Sequence, residues 1–414
     1  MAGHSLSFPS RDFSRFWAGE TVSSFGSYVT ALALQTLVVL TLDGDAQDVG
    51  WVNAARWLPY LVIGLVVGAL VDRVRRRPVM VSTDLLRAAL LVSIPVAHAL
   101  DVLSLPLLMV VVTCFGAASL VNDAASMSFI TRLVPREDLQ RAHSRIDGAD
   151  AVAQTTGPAT AGLLVKLAGA PAAVLVDAAT YLFSAAAVLS LRTVEPAPEP
   201  GPTPNVWREI REGVGWVYRG ASLTALAVGT HVWFAANAVL GAVLAPYALV
   251  TLGLSPLQFG LAAALMGVGG FLGATTSGAG GRRFGTGGAV IFAHAVTTVG
   301  VLLMVCAGLG TSGWGATVVL GLGQLCHGFA IGFSNSHEMS YQQARTPDAV
   351  QARMNITKRS FNRAVIVVFA PLGGLLAVQV GNRAALVVAS VVFALVVLGL
   401  LASPFRTARQ WTGR

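Results

Sequence analysis

The segment GALVDRVRRRPVM, residues Gly68 to Met80, places one aspartate and four arginines in a single short turn. Long apolar stretches precede and follow this turn. Only 12% of the 414 residues are charged, whereas charged residues make up about 25% of soluble domains. A dense group of charges in so apolar a chain indicates a loop at a water-facing boundary, and the rest of the sequence identifies that boundary.

The composition is that of a chain that crosses a membrane many times. Hydrophobic residues make up 54% of the sequence, and the mean hydropathy is +0.68. Apolar stretches longer than about 18 residues, enough to span a bilayer, recur from end to end. The net charge of +8 comes from arginines in the loops, which favours contact with a lipid bilayer whose inner leaflet is anionic and not with nucleic acid.

We predict an all-α membrane protein with about twelve transmembrane helices in two six-helix, pseudo-symmetric halves. The predicted spans are 14–42, 49–71, 79–100, 105–133, 140–168, 172–192, 219–251, 255–280, 288–310, 313–345, 350–380 and 382–404. The first apolar run, Phe16 to Leu42, is too long for a signal peptide and has no cleavage site. We therefore expect it to be a true span in a mature chain that begins at Met1.

A Pro-rich segment, Val194 to Asn205, cannot continue a helix and divides the chain into two parts of similar length. The predicted domains are an N-terminal half at 1–193, a cytoplasmic central linker at 194–218 and a C-terminal half at 219–414.

The arginines also predict the orientation. If the N-terminus, the linker and the C-terminus are cytoplasmic, nearly every lysine and arginine lies in or beside a cytoplasmic loop. The opposite loops carry acidic residues, namely Asp43, Asp45, Asp48 and Asp101. We therefore expect a multi-pass protein of the cell inner (cytoplasmic) membrane with both termini in the cytoplasm.

The two halves resemble each other in sequence. The segments 116–135 and 328–347 both run from a glycine to a proline with identical spacing, and they contain MSF and MSY at equivalent positions. GLL occurs at Gly162 and again at Gly374 with the same offset of 212 residues. Chance matching of small and apolar residues is the alternative, but a constant offset favours an internal repeat. Two repeats with one orientation are typical of a transporter whose site lies between its halves.

The opening segment resembles the loop signature of the major facilitator superfamily, which has a glycine, an aspartate four residues later and then a basic cluster. The resemblance implies a conformational latch on the cytoplasmic side that favours the outward-open state. Its predicted residues are Gly68, Asp72, Arg73, Arg76 and Arg77. A plain positive-inside signal is the alternative, and it accounts for the arginines but not for the aspartate or the glycine.

A narrower resemblance rests on three further segments, Gly19–Leu34, Leu58–Ala88 and Leu133–Ala142. They are similar to the drug:proton antiporter branch with macrolide-efflux and enterobactin-exporter-type proteins. This likeness, over essentially the whole chain, implies a monomeric secondary active exporter of hydrophobic or amphipathic small molecules such as a drug, a macrolide-like compound or a siderophore. Export would be proton-coupled and work by alternating access. Relatives often carry an acid where this chain has Ser27, so a coupling proton is expected elsewhere.

Ionisable side chains at membrane depth are energetically costly and are candidate sites by default. The proton-carrier candidates are Asp123, Glu338 and Glu20. The alternative for each is an ion pair at an inner gate with Arg132, Arg345 or another basic residue.

A bulky amphipathic substrate requires a roomy, mainly apolar cavity with few polar groups. The residues predicted to line it are Ser27, Gln35, Arg56, Met127, His231, Trp233, Asn237, His327, Met339 and Tyr341. Two prolines within predicted spans, Pro158 and Pro371, each free a backbone carbonyl and permit a kink, which suits a gating hinge.

Other functional classes fit the sequence less well. No Gly-rich loop with Lys-Ser/Thr is present, so ATP is not the direct energy source. No cluster of His, Glu, Asp or Cys at one depth indicates an enzyme, a metal site or a cofactor. A facilitator or flippase for lysophospholipid or another endogenous amphiphile remains an alternative, as does a non-transporting membrane receptor or scaffold.

We expect Asp72→Asn to impair transport without blocking membrane insertion, because the arginines still set topology while the latch loses its acidic charge. The second half has Arg282 at the position of this acid, so replacing Arg282 is expected to matter less. Efflux from cells with matched amounts of each variant in the membrane measures the difference. Wild-type efflux from Asp72→Asn would remove the latch assignment.

Overall fold

The computed structural model describes residues 9–64, 67, 71, 73–193, 195 and 206–409. The described residues form helices joined by short connections, and no strand occurs among them. The first half comprises α1 (Arg11–Leu40), α2 (Ala46–Val62), α3 (Arg76–Ala99), α4 (Leu105–Leu133), α5 (Leu139–Ala168) and α6 (Ala170–Leu189). The second half comprises α7 (Val206–Val217), α8 (Gly220–Pro246), α9 (Pro256–Cys306), α10 (Gly313–Ala344), α11 (Asp348–Val380) and α12 (Asn382–Ala402).

Helix α9 contains two membrane crossings where the sequence predicted two separate spans. Helix α9 runs over 51 residues, but Gly285 has a φ of 70° and a ψ of 173°, and the backbone N–H of Gly287 donates to the carbonyl of Ala408 over 2.9 Å. This left-handed conformation is readily accessible only to glycine, and it breaks α9 into arms 256–284 and 286–306.

Twelve crossings result, from α1–α6, α8, the two arms of α9, and α10–α12. Within the described part of the chain, nine helices meet length and hydropathy limits for spanning; α9 counts once among them, and α2 and α5 complete the twelve.

Helix α7 was not predicted, because it lies within the segment assigned to the linker. It docks against the start of α11, where Gly213 lies so close that a Cβ would be 2.1 Å from the Thr357 hydroxyl oxygen. The guanidinium of Arg353 binds the carboxylate of Glu212 across the same contact. The linker therefore ends in a helix that belongs structurally to the second half.

The two halves meet closely on the face of the molecule opposite the linker, here called the far side; the face with the linker is the linker side. Helix α2 begins on the far side and α11 ends there. A Cβ on Gly374 would lie 2.3 Å from the carbonyl oxygen of Ala46, and a Cβ on Gly50 would lie 2.4 Å from that of Ala370. Only glycine permits backbones to approach so closely.

Both predicted gating prolines lie at crossings between the halves. Pro371 is inside α11 at the contact with α2, next to Ala370. Pro158 is inside α5, and its carbonyl faces Gly260 of α9, where a Cβ would lie 2.4 Å from the oxygen. Their positions are consistent with a role in opening the far side, which stays a prediction.

We expect Gly374→Ala to disfavour contact between the halves on the far side, because the added methyl group would meet backbone that cannot move aside. Gly241→Ala is the matched control, since no atom lies within 4 Å of its Cβ position. The readout is the labelling rate of Gln47→Cys by a membrane-impermeant maleimide, in a background without Cys114, Cys306 and Cys326. Labelling several-fold faster with Gly374→Ala than with the control is expected, whereas equal rates would contradict the contact.

Candidate functional site

One candidate carboxylate, Asp123, lies in α4 on a face that is open to solvent or lipid. It accepts a hydrogen bond of 2.7 Å from the hydroxyl of Tyr60 in α2, the helix that borders the second half. Met127, one turn along α4, is 62% exposed. The sequence predicted Asp123 as a proton carrier and Met127 as a cavity residue, and the structure puts them together on the linker-side portion of α4.

The second-half counterpart is Glu338 in α10. Its carboxylate accepts a hydrogen bond of 3.3 Å from the hydroxyl of Thr230 in α8 and lies 3.9 Å from the Nε2 atom of His294 in α9. His294 is buried, and its Nε2 has no hydrogen-bond partner among the described residues. The neighbouring Met339 is 51% exposed. This arrangement is a polar pocket inside the second half, and the sequence did not predict His294 as one of its members.

Glu20 in α1, the third candidate, accepts a hydrogen bond of 3.1 Å from the hydroxyl of Ser126 in α4. The three candidate carboxylates therefore share a feature, a hydroxyl partner within their own half. In the described part of the chain none of them forms an ion pair with Arg132 or Arg345, the partners that the gate-pair alternative requires; the guanidinium of Arg345 lies over the ring of Tyr341, 4.7 Å from its centre.

Ser27 lies at the edge of a buried polar network in the first half. Its hydroxyl shares a hydrogen bond of 2.9 Å with that of Tyr181. The guanidinium of Arg87 lies over the Tyr181 ring, 4.1 Å from its centre, and is ion-paired with Asp84. Asp84 and Arg87 are 1% and 6% exposed, and Asn122 donates to Asp84 over 3.1 Å. The network links α1, α3, α4 and α6, so Ser27 contributes to packing as well as facing the interior.

Three of the predicted cavity residues form one cluster between α8 and α10. The rings of Trp233 and His327 are stacked with centres 5.8 Å apart, and Nε2 of His327 lies 3.1 Å from the amide oxygen of Asn237. His327 is 1% exposed, so its side chain contributes to the packing of this cluster and does not form its surface. Trp233 and Asn237 are half-buried and remain the members that can face a cavity.

Two predicted cavity residues lie elsewhere. Tyr341 is buried against Phe405 near the end of the chain, with ring centres 5.1 Å apart, so it does not line a cavity. His231 is nearer the linker side, where its ring nitrogens contact the Tyr218 hydroxyl at 3.1 Å and the Asn362 amide oxygen at 2.8 Å. Helix periodicity alone could not place them, because it does not show which neighbouring helix each face contacts.

Gln35 and Arg56 line a small cavity of about 30 Å³ on the far side of the first half. The guanidinium of Arg56 lies 5.7 Å from the ring centre of Trp57. A second arginine, Arg363 from α11, lies only 3.7 Å from the same ring centre. The sequence did not predict Trp57 or Arg363 as site residues, because it does not show which residues of α2 and α11 face each other. Their closeness across the two halves is visible only in the fold.

With this geometry in place, comparison with known proteins decides the family. The model of the Major Facilitator Superfamily matches residues 16–357. The chain belongs to this superfamily. The transporter is 28% identical over 234 residues to macrolide efflux protein A of Streptococcus pyogenes, covering 54% of this chain and 55% of that protein. It is 31% identical over 216 residues to the multidrug efflux pump Tap of Mycolicibacterium fortuitum, covering 49% and 51%. The transporter thus matches about half the length of these curated relatives.

Solved structures share the fold of the transporter. The nucleoside transporter NupG matches with a TM-score of 0.78 at 12% identity, over 95% of this chain and 98% of that one. A bacterial homologue of the iron transporter ferroportin in an inward-facing state matches with a TM-score of 0.73 at 17% identity, over 94% and 98%. These identities establish the architecture only, which confirms the prediction of two six-helix halves.

The predicted latch of the transporter is described in part. Gly68 and Asp72 lie outside the described residues, and Arg73 is exposed. The backbone N–H groups of Arg76 and Arg77 donate to the carboxylate of Glu195 over 2.8 and 3.2 Å. The Arg76 guanidinium lies 3.4 Å from the same carboxylate. Glu195 therefore supplies the negative charge that the amino end of a helix favours, and it does so from the start of the linker.

We expect Asp84→Ala to destabilise the transporter strongly, because it leaves the buried Arg87 guanidinium without its counter-charge. Breaking a buried ion pair from one side costs about 3–5 kcal/mol. Arg141→Ala is the matched control, since Arg141 and Asp138 form an exposed ion pair of a kind worth about 0–1 kcal/mol. Thermal unfolding of purified protein in detergent measures both. Equal transition temperatures for the two variants would contradict a structural role for the buried pair.

Proposed function

We propose that the transporter is a secondary active exporter of hydrophobic or amphipathic small molecules, such as drugs or macrolide-like compounds. Its relatives are named for macrolide and multidrug efflux, and each shares about half of its length with this chain. The proposed substrate site lies between the halves, near Asp123 and Met127 on one side and Glu338 and Met339 on the other. Exposed methionines suit such substrates, because their flexible side chains adapt to varied apolar shapes.

The asymmetry of contact between the halves carries this proposal. Glycines such as Gly50 and Gly374 bring backbone against backbone on the far side. On the linker side Met127 and Met339 stay more than half exposed. Since arginine placement assigns the linker side to the cytoplasm, this arrangement would admit substrate from inside the cell. Alternating access then requires the far-side contacts to open as the linker side closes.

We propose that a proton drives export and that Asp123 or Glu338 binds it, with Glu20 as a third candidate. Each carboxylate has a hydroxyl partner, and a hydroxyl stays compatible with both the charged and the neutral acid because it can donate or accept. An ion-paired carboxylate would instead resist protonation. Exchange of a proton for substrate at the same cavity would couple the two movements.

The remaining features complete the proposed cycle. Asp72 with Arg73, Arg76 and Arg77 would act as the latch of the outward-open state on the cytoplasmic side. The residues 1–193 and 219–414 would move as two bodies joined by the linker. The transporter would work as a monomer in the cytoplasmic membrane with its termini inside.

Proteoliposomes with an imposed pH gradient test the coupling, with a radiolabelled macrolide as the probe. We expect Asp123→Asn or Glu338→Gln to abolish uphill transport, because the acid can no longer exchange a proton, while downhill exchange survives. Asp101→Asn, in a far-side loop, is the matched control and retains both.

Different outcomes separate the alternatives. Loss of uphill and downhill flux together would indicate that the residue pairs at a gate. Uphill transport in the Asp123→Asn, Glu338→Gln double variant would contradict the assignment and direct attention to Glu20. Absence of macrolide, drug or lipid transport by the unaltered protein would overturn the exporter proposal itself.

A further inference from the structure

An aromatic recess in the first half is built from Trp57 and Tyr60 of α2 and Asp123 of α4. The two rings meet edge to face, with centres 5.1 Å apart. The Tyr60 hydroxyl donates to the Asp123 carboxylate over 2.7 Å. Two ring faces beside one carboxylate favour a positively charged group, because the faces of aromatic rings are electron-rich.

A cation from the other half already lies in this recess. The guanidinium carbon of Arg363 is 3.7 Å from the ring centre of Trp57 and 5.9 Å from that of Tyr60. Across the described ranges of the chain, Arg363 forms no hydrogen bond and no ion pair, so its five N–H donors are not used to fix it. Ring faces, and not directed bonds, therefore hold the guanidinium beside the Asp123 carboxylate.

The surrounding charges weaken the hold on Arg363. Arg56 contacts the same Trp57 ring from 5.7 Å, and Arg359 lies one helical turn before Arg363 in α11. Arg56 and Arg359 therefore add two positive charges near Arg363. Like charges at this spacing repel one another, so another cation can replace Arg363 without breaking a directed bond.

We propose that Trp57, Tyr60 and Asp123 form a binding site for the positively charged group of a lipophilic cation, and that Arg363 occupies this site until the substrate displaces it. The inference rests on the proposed export function and narrows its substrate class. An apolar wall of Ala238, Ile366, Ala370 and Phe234 packs beside Trp57 and suits the hydrophobic body of such a molecule. Displacement of Arg363 would also loosen the contact between α2 and α11, which links substrate arrival to movement of the halves.

Binding of tetraphenylphosphonium to the purified full-length transporter tests the site, with neutral triphenylphosphine oxide as the probe of similar shape. We expect Trp57→Leu to weaken phosphonium binding at least tenfold and Trp57→Phe to restore most of it, because a ring face returns. Arg363→Gln is expected to tighten phosphonium binding about tenfold, the effect of removing a competing cation worth roughly 1–2 kcal/mol. Binding of the neutral probe is expected to change little in Arg363→Gln.

Arg359→Gln is the matched control, because it removes one positive charge from the same helix without a ring contact. It is expected to change phosphonium affinity far less than Arg363→Gln does. Thermal unfolding of each variant in detergent verifies that the protein is folded. Equal effects of the two substitutions on phosphonium affinity would show that total positive charge matters and the ring contact of Arg363 does not. That outcome would overturn the proposed site.

Two sources supply a lipophilic cation, a dissolved compound or the choline group of a lipid, and a competition arm separates them. If lysophosphatidylcholine displaces phosphonium from the unaltered protein at a lower concentration than a choline-free lysolipid does, the choline group is the occupant. Without such a difference, the occupant is a dissolved cation. Failure of phosphonium to bind either the unaltered protein or Arg363→Gln would overturn the recess. Efflux of neutral lipophiles would persist in that case, which distinguishes this failure from failure of the exporter proposal.

Discussion

Backbone-to-backbone contact between the halves on the far side is the constraint on which the rest of the structure depends. Helices α2 and α11 can touch there because Gly50 and Gly374 have no side chain to keep the carbonyls of Ala370 and Ala46 away. The two helices cannot shift gradually while they stay in this contact, because interfaces packed at this density are either formed or broken. This contact therefore accounts for the contrast between a tightly packed far side and a linker side with exposed groups.

Polar groups inside the halves divide into two kinds. The pair of Asp84 and Arg87 is buried and compensated internally, so its charge is fixed and it stabilises one bundle. Asp123 and Glu338 instead have hydroxyl partners and are less deeply buried. A change of charge in the second kind would leave its own half intact, which is why we propose these two acids as proton carriers.

The sequence predicted the helices well and the directions of their side chains poorly. Helix α4 was predicted at the residues where it occurs, because a run of apolar residues as long as the bilayer is thick is an unambiguous signal. Tyr341 was misplaced because lipid and protein interior are both apolar, so hydrophobic periodicity does not tell the two faces of α10 apart. Helix α7 was missed because docking onto α11 stabilises it, and the position of Arg363 against Trp57 required the packing of two halves far apart in sequence.

The backbone N–H of Arg76, at the start of α3, donates a hydrogen bond to the carboxylate of Glu195. This bond shortens the part of the linker that can move freely between the halves. The linker is anchored to the first bundle at Glu195, and it joins the second at α7, which is docked through Glu212. Only residues 196–205 remain between these anchors, and a fully extended chain of that length reaches about 35 Å at most. This short connection therefore limits how far the linker-side ends of the two bundles can separate.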